Sequence, residues 1–414
     1  MSSHKPINRC EAQRSAPRAA RPERRGVITL VLLLCLPVML ICCAWALNVA
    51  WLVNHRHQMQ AVCETSALAG VAQMFENSPI ASGHYRLAGS PGGADVARML
   101  TVRQDVRTRQ HALQFAEMNL VRGPMRLAAN WENRVNGDMV TGWVEDPTRL
   151  GAPMEPWNGQ GPINSLLVRA QSTAERGQAL SLWASRMFGF ADVDMVVEAR
   201  ATVDQRVYGF RPAGHVTVPM VPLMIPPMDK SGQVQRDHFS VDPKTGHVKA
   251  GRDGLDEMTI RLGQPRHDGS AAVHGSSENV GQIVRFGRPA SSRDVQRQIR
   301  QGLSHDDLRL VGGAIVYQGV AQQATAMAEP SAASLAELHR ALCDIRGKKR
   351  IWPVSDPQTG SIAGFTTGCV VACEKTEAGT LELVLQPCVL HTCTALVRAG
   401  EPRNPRIGKI VLTQ

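Results

Sequence analysis

The stretch QMQAVCETSALAGVAQMF (Gln58–Phe75) decides how this chain is read. Apolar and small residues recur in it at three- and four-residue spacing, the period of a helix. Gln58, Gln60, Glu64, Ser66 and Gln73 make it too polar for a lipid core, and its regularity is not that of a linker. Toward the N-terminus lies GVITLVLLLCLPVMLICCAWALNVAWLV (residues 26–53), without one charged residue. As a helix those residues rise roughly 42 Å, more than the ~30 Å hydrocarbon core of a bilayer, so the run can span with tilt.

The flanks orient that span. Arg21, Arg24 and Arg25 precede it, and His55, Arg56 and His57 follow. The heavier Lys/Arg load on the N-terminal side predicts a cytoplasmic tail of residues 1–25 and an exported remainder, with the inner membrane as the location. Trp45 and Trp51 fall toward the outer interface, and Pro37 predicts a mild kink. The alternative is a cleaved signal peptide, with Ala44-Trp45-Ala46 as a small-x-small site. The apolar stretch continues past it and exceeds the ~7–15 residues of a signal core, so retention as an anchor is the expectation.

Composition narrows the function classes. The net charge is +10, and half of it sits in residues 1–25, leaving the other 389 residues nearly balanced. With aromatics at 4% and no basic stripe, nucleic-acid binding is not expected. The scarcity of aromatics also predicts an aliphatic core.

After Phe75 the helical pattern breaks at ENSP, and ADVARMLTVRQDVRTRQHALQFAEMNL (residues 94–120) reads as one or two amphipathic helices. GDMVTGW, INSLLVRAQST, VDMVVEARATVDQRVYGF and GKIVLTQ read as strands, and QALSLWASRMFGF as a helix. LRLVGGAIVYQGV reads as a further strand. SLAELHRALCDIR reads as a helix with Leu335, Leu338 and Leu342 on one face. The Pro-rich GHVTVPMVPLMIPPMD suits an edge strand or extended connector at a seam between lobes, since Pro cannot donate to a ladder. Residues 230–304 read as short strands between turns. The fold class is α+β: a transmembrane helix (26–54), a stalk helix (55–76), an exported mixed domain (77–227) and a β-rich region (228–414) with a helix near 331–346.

No familiar catalytic spacing is present: no nucleophile elbow, Walker loop, H-E-x-x-H or complete G-x-G-x-x-G. GQGPIN (Gly159–Asn164) is only a turn. Asp253, Asp256 and Glu257 could offer oxygens to calcium, but a solvated acidic turn is the simpler reading. No cofactor or metal is expected. Six cysteines lie beyond the span: Cys63, Cys343, Cys369, Cys373, Cys388 and Cys393. The last four could supply zinc, yet they lack the tight knuckle spacing, and export favours disulfides. A two-residue hairpin turn at Ala378-Gly379 would put Cys369 opposite Cys388, the candidate disulfide. The small-x-x-x-small pairs Ala46/Ala50 and Ser66/Gly70 are candidate helix-packing contacts, through which the chain could form homo- or hetero-oligomers.

RRG (Arg24–Gly26), NVA (Asn48–Ala50), LVNHRHQMQ (Leu52–Gln60) and CETSALAG (Cys63–Gly70) together resemble the TadE/TadG-like proteins of Flp (tight-adherence) pilus assembly, closest to the TadG-like members. Asn48 and Ala50 stand where that family more often has Asp and Gly, and Glu64 where it has Asp. Weaker matches, LLVRAQST and SRMFGFADVDMVVEARATV, reach toward Pro227. The resemblance implies a non-catalytic, single-pass envelope protein that scaffolds or stabilises a pilus or secretion assembly, with the membrane and other envelope proteins as partners. An anchored ligand-binding or adhesive module is the alternative, and an exported hydrolase a more distant one.

Overall fold

The computed structural model describes residues 25–78, 93–119, 127–182, 192–227, 237–243, 245–262, 281–286, 291–317, 324–326, 332–356, 359, 361–377 and 379–413. The basic tail before Arg25, most of the SRMFGFAD stretch and Ala378 lie outside them. The helices are α1 (Arg25–Glu76), α2 (Gly93–Asn119), α3 (Ser292–Gln301) and α4 (Ala332–Cys343). The principal strands are β1 (Met139–Trp143), β2 (Ser165–Ser172), β3 (Met195–Asp204), β4 (Val207–Phe210), β5 (Met258–Leu262), β6 (Lys349–Ser355), β7 (Ile362–Lys375), β8 (Leu381–Pro387) and β9 (Ile407–Leu412). The combination is α+β, as the sequence predicts.

The chain divides into two units, residues 1–55 with 181–192 and residues 56–180 with 193–414. In the first, α1 passes through Pro37 without interruption, and its apolar side chains from Leu30 to Val53 are largely exposed. Among the described residues α1 is the one helix long and apolar enough to cross a membrane. A helix apolar on every side in this way finds its match in lipid.

The second unit is built on two helix-covered sheets. In the larger sheet β9, β3, β2 and β1 run antiparallel in that spatial order, with two-residue strands at both edges. β2 alternates because one face is packed: Leu166, Val168 and Ala170 are buried, while Leu167, Arg169 and Gln171 between and beyond them are more open. Residues Met59–Phe75 of α1 cover this face together with Ala112 and Ala116 of α2. The segment expected to be a stalk is therefore a core element, with Met59, Cys63, Ala67, Val71 and Met74 all shielded. β9 pairs with β3, so residues on both sides of position 227 share one sheet.

The smaller sheet has the order β6-β7-β8-β5, antiparallel throughout. α3 and α4 supply its apolar cover: Val295 and Ile299 from one, Leu335, Leu338 and Leu342 from the other. α3 occupies part of the span expected to hold only short strands. Its start is locally encoded, for Ser291 accepts from the Asp294 N–H and Asp294 returns a bond to the Ser291 backbone, a complete capping box. The described residues of LRLVGGAIVYQGV, 308–317, hold a two-residue strand, Ile315–Val316, after a 3-10 turn. Gly312 and Gly313 have φ of 79° and 77°, a left-handed geometry that interrupts extended chain.

The Pro-rich segment after β4 is extended, as expected, and its alternation is shared between two cores. Val218, Met220 and Met224 enter a cluster with Phe210, Ile351 and Phe365, whereas Val221, Leu223 and Ile225 enter the cluster under α3 and α4. Its prolines serve as acceptors: the carbonyls of Pro219 and Pro222 take the Ile351 and Val284 amides.

Candidate functional site

The four residues singled out for helix packing fall in two different surroundings. Ala46 and Ala50 lie on the exposed apolar half of α1. Ser66 and Gly70 are buried within the second unit. A Cβ added at Gly70 would come within 2.5 Å of Leu166 Cδ2, 3.0 Å of Ala112 Cβ and 3.2 Å of the Thr108 carbonyl oxygen. A side chain there would force Leu166 and α2 to move, because α2 and β2 of the same chain approach the helix backbone closely. The rest of the Ala-Leu-Ala-Gly string shares this role, with Ala67 fully buried beside it.

α2 is held against α1 by polar contacts as well. Gln104 Nε2 donates to the Met74 carbonyl at 2.7 Å, and Arg107 donates to Asn77 Oδ1 at 2.8 Å. Arg109, fully buried, makes a two-point pair with Asp105. Its remaining donors reach the carbonyls of Ala129, Asn130 and Met139, Asn133 Oδ1 and Thr141 Oγ1. A buried guanidinium is tolerable when each N–H finds an acceptor, and this one is so supplied. Asn130 and Asn133 adopt positive φ (50° and 52°) in the loop that offers those acceptors. Composition and spacing gave no hint of this network; its only local signal is the i, i+4 spacing of Asp105 and Arg109.

A cleft of about 580 Å³ lies between α2 and the β7–β8 end of the smaller sheet. Arg103, Arg107, Lys349, Asp253, Cys369 and Cys388 line it. Lys349 pairs with Glu76 at 3.2 Å. Two of the acids that could offer oxygens to calcium, Asp253 and Glu257, are engaged as loop fasteners. Asp253 accepts from Gln386 Nε2 at 2.5 Å, and Glu257 accepts the amides of His238 and Phe239. Burial pushes the Glu257 carboxyl upward against those bonds.

The hairpin register differs from the sequence expectation. Lys375 pairs with Leu381, leaving a five-residue connection, and a bulge at Val371 shifts the ladder again. Cys369 therefore faces Gln386 and not Cys388. The two-residue displacement keeps Cys388 on the same side of the ladder. Beyond the end of β8 at Pro387 it comes within hydrogen-bonding reach of Cys369. That shared hydrogen bond, with burial, pushes Cys369 up, and the same bond draws Cys388 down despite burial. Cys63 is a core residue whose thiol donates to the Val197 carbonyl at 3.5 Å, and burial raises it to about 12. The four C-terminal cysteines do not gather as one zinc set: among the described residues, the cluster of metal-ligating types is His339, Cys343 and Cys373.

Gly159 and Gly161 have φ of 89° and 75°, consistent with a turn at GQGPIN.

Residues 26–73 match a family model described as putative Flp pilus-assembly TadE/G-like. The match takes in the apolar half of α1 and its buried half, and none of the sheets. Neither the curated proteins nor the solved structures yield a match to the chain.

Proposed function

We propose that the chain is a non-catalytic, single-pass scaffold of a Flp/Tad-type pilus or secretion assembly, anchored in the inner membrane with its N-terminus in the cytoplasm. The observation that carries this reading is α1: one uninterrupted helix, matched by the pilus-assembly family over residues 26–73, apolar on all sides and then buried on a small-residue face. The first part suits lipid, and the second fixes the body's core to the same helix. The positive residues that precede the span support a body on the extracytoplasmic side. The exposed Ala46/Ala50 face, where small side chains allow close approach in lipid, is the surface offered to a partner helix. Ser66 and Gly70 contribute to partner binding only indirectly, because their close face is taken by α2 and β2.

The direct experiment deletes the gene in a piliated host and restores it in full-length form. Surface pili are expected to be lost and then recovered, and the epitope-tagged chain is expected to retain pilus-assembly proteins when purified from membranes. Unchanged piliation in the deletion strain overturns the reading.

A further inference from the structure

Two sulfurs and an imidazole meet where α4 lies on β7. His339 and Cys343 sit four residues apart on α4, so their side chains share one face. Cys373 comes from the strand beneath. The donor atoms of the three lie within 4.8 Å of one another. His339 Nε2 is 3.1 Å from the Cys373 carbonyl oxygen and 3.6 Å from Cys343 Sγ. A carbonyl oxygen can only accept, so Nε2 carries the hydrogen in this bond. A metal could take that nitrogen only by breaking it. The same nitrogen faces Cys343 Sγ, so the imidazole sets where that sulfur sits beside Cys373. The thiols differ in access: Cys343 is exposed and Cys373 half-buried. Burial and the neighbouring Cys343 push the Cys373 thiol up to about 12.

We propose that Cys343 and Cys373 form a disulfide clasping α4 to the smaller sheet, with Cys343 as the entry thiol and His339 as a positioning residue. This rests on the extracytoplasmic placement of the body argued above, the compartment in which disulfides persist. The oxidant is an external disulfide, either of a small thiol such as glutathione or of an envelope thiol oxidase. Cys343 gives its proton to solvent, and its thiolate attacks one sulfur of that disulfide. The external S–S bond breaks, and the departing sulfur leaves as a thiolate and takes up a proton. Cys373 then loses its proton and attacks Cys343 Sγ, releasing the second external thiol in the same way. Two cysteine thiols have lost two electrons and two protons, and one disulfide has become two thiols. The order follows from access, since the half-buried sulfur meets only a partner already delivered to Cys343.

The test begins with whole cells in which free thiols are trapped by acid quench and N-ethylmaleimide. The full-length chain is then purified, digested without reductant and mapped by mass spectrometry. A Cys343–Cys373 cross-linked peptide that disappears on reduction is expected in most of the chain. In the purified Cys373→Ser variant, glutathione disulfide should add one glutathione at Cys343. His339→Gln should slow that addition about tenfold while leaving alkylation of the exposed Cys393 unchanged, which a general packing defect would not do. A membrane-impermeant maleimide applied to exposed Cys393 reports the orientation separately. If Cys393 is labelled from outside while Cys343 and Cys373 are both recovered alkylated, the clasp is overturned. If Cys393 is protected, the orientation fails, and oxidation of the purified reduced chain by glutathione disulfide decides the clasp. Absence of the intramolecular cross-link in that reaction, or one equivalent of zinc held by the two thiols, overturns it.

Discussion

The two halves of α1 bury apolar surface by opposite means. From Leu30 to Val53 the helix is apolar all round, its large side chains exposed. From Met59 to Phe75 it has a narrow stripe of Met, Val, Cys, Ala, Ser and Gly that meets protein. Leucine-rich surface matches lipid without needing shape, because acyl chains conform to it. A small-residue stripe offers little area and stabilises only through close approach of another backbone. The difference shows that the boundary between solvents, and not the end of the helix, divides this chain.

The largest expected effect tests what seats the buried half. Arg109→Ala leaves Asp105 buried without its partner and strips five acceptor groups, at a cost of about 3–5 kcal/mol. Thermal denaturation of the detergent-purified chain should show it, and an unchanged midpoint would mean that α2 is seated by apolar contact alone. Next, Leu40→Arg places a charge mid-span at about 2.5–3.5 kcal/mol on insertion scales. Alkaline extraction of membranes should release more of this variant, with the soluble body still folded. Gly70→Val overpacks the approach to Leu166 and Ala112 and should destabilise by about 1–3 kcal/mol. Its counterpart Ala46→Val should leave body stability within about 0.5 kcal/mol. Equal effects of the two would erase the distinction between the halves. The smallest effect is a pH dependence near the end of α1. Burial holds His391 below its ordinary value of 6.5, against the opposing charge of Glu76. The unfolded chain thus binds the proton more readily, so this contribution is present above pH 6.5 and is lost as pH falls toward the folded value. His391→Gln should flatten the stability profile in that window, as followed by denaturant titration at stepped pH.

Much of the architecture was legible locally. The span, the α4 stripe of Leu335, Leu338 and Leu342, and strands β2, β3 and β9 declare themselves by period and composition. The capping box at Ser291 and Asp294 was an equally local sign of α3, obscured by the turn-rich sequence around it. What a stripe packs against is not local. Ser66 and Gly70 announce a close neighbour, but Thr108 and Ala112 become that neighbour only through the path of the intervening chain. The Cys369 register was misjudged for a related reason, since a bulge and a five-residue connection leave no pattern that fixes them in advance. The His339, Cys343 and Cys373 cluster joins a helix to a strand 30 residues away, a proximity invisible to spacing.

The alternation of Val218–Ile225 between two clusters bears on how the body comes apart. One short stretch of backbone cannot release Val221, Leu223 and Ile225 while keeping Val218, Met220 and Met224 in place. A segment threaded in this way couples the melting of both cores, making them one cooperative unit instead of separable foldons. Calorimetry of the body should therefore show those two clusters lost in a single transition, and amide exchange across the segment should follow the slowest protons of either.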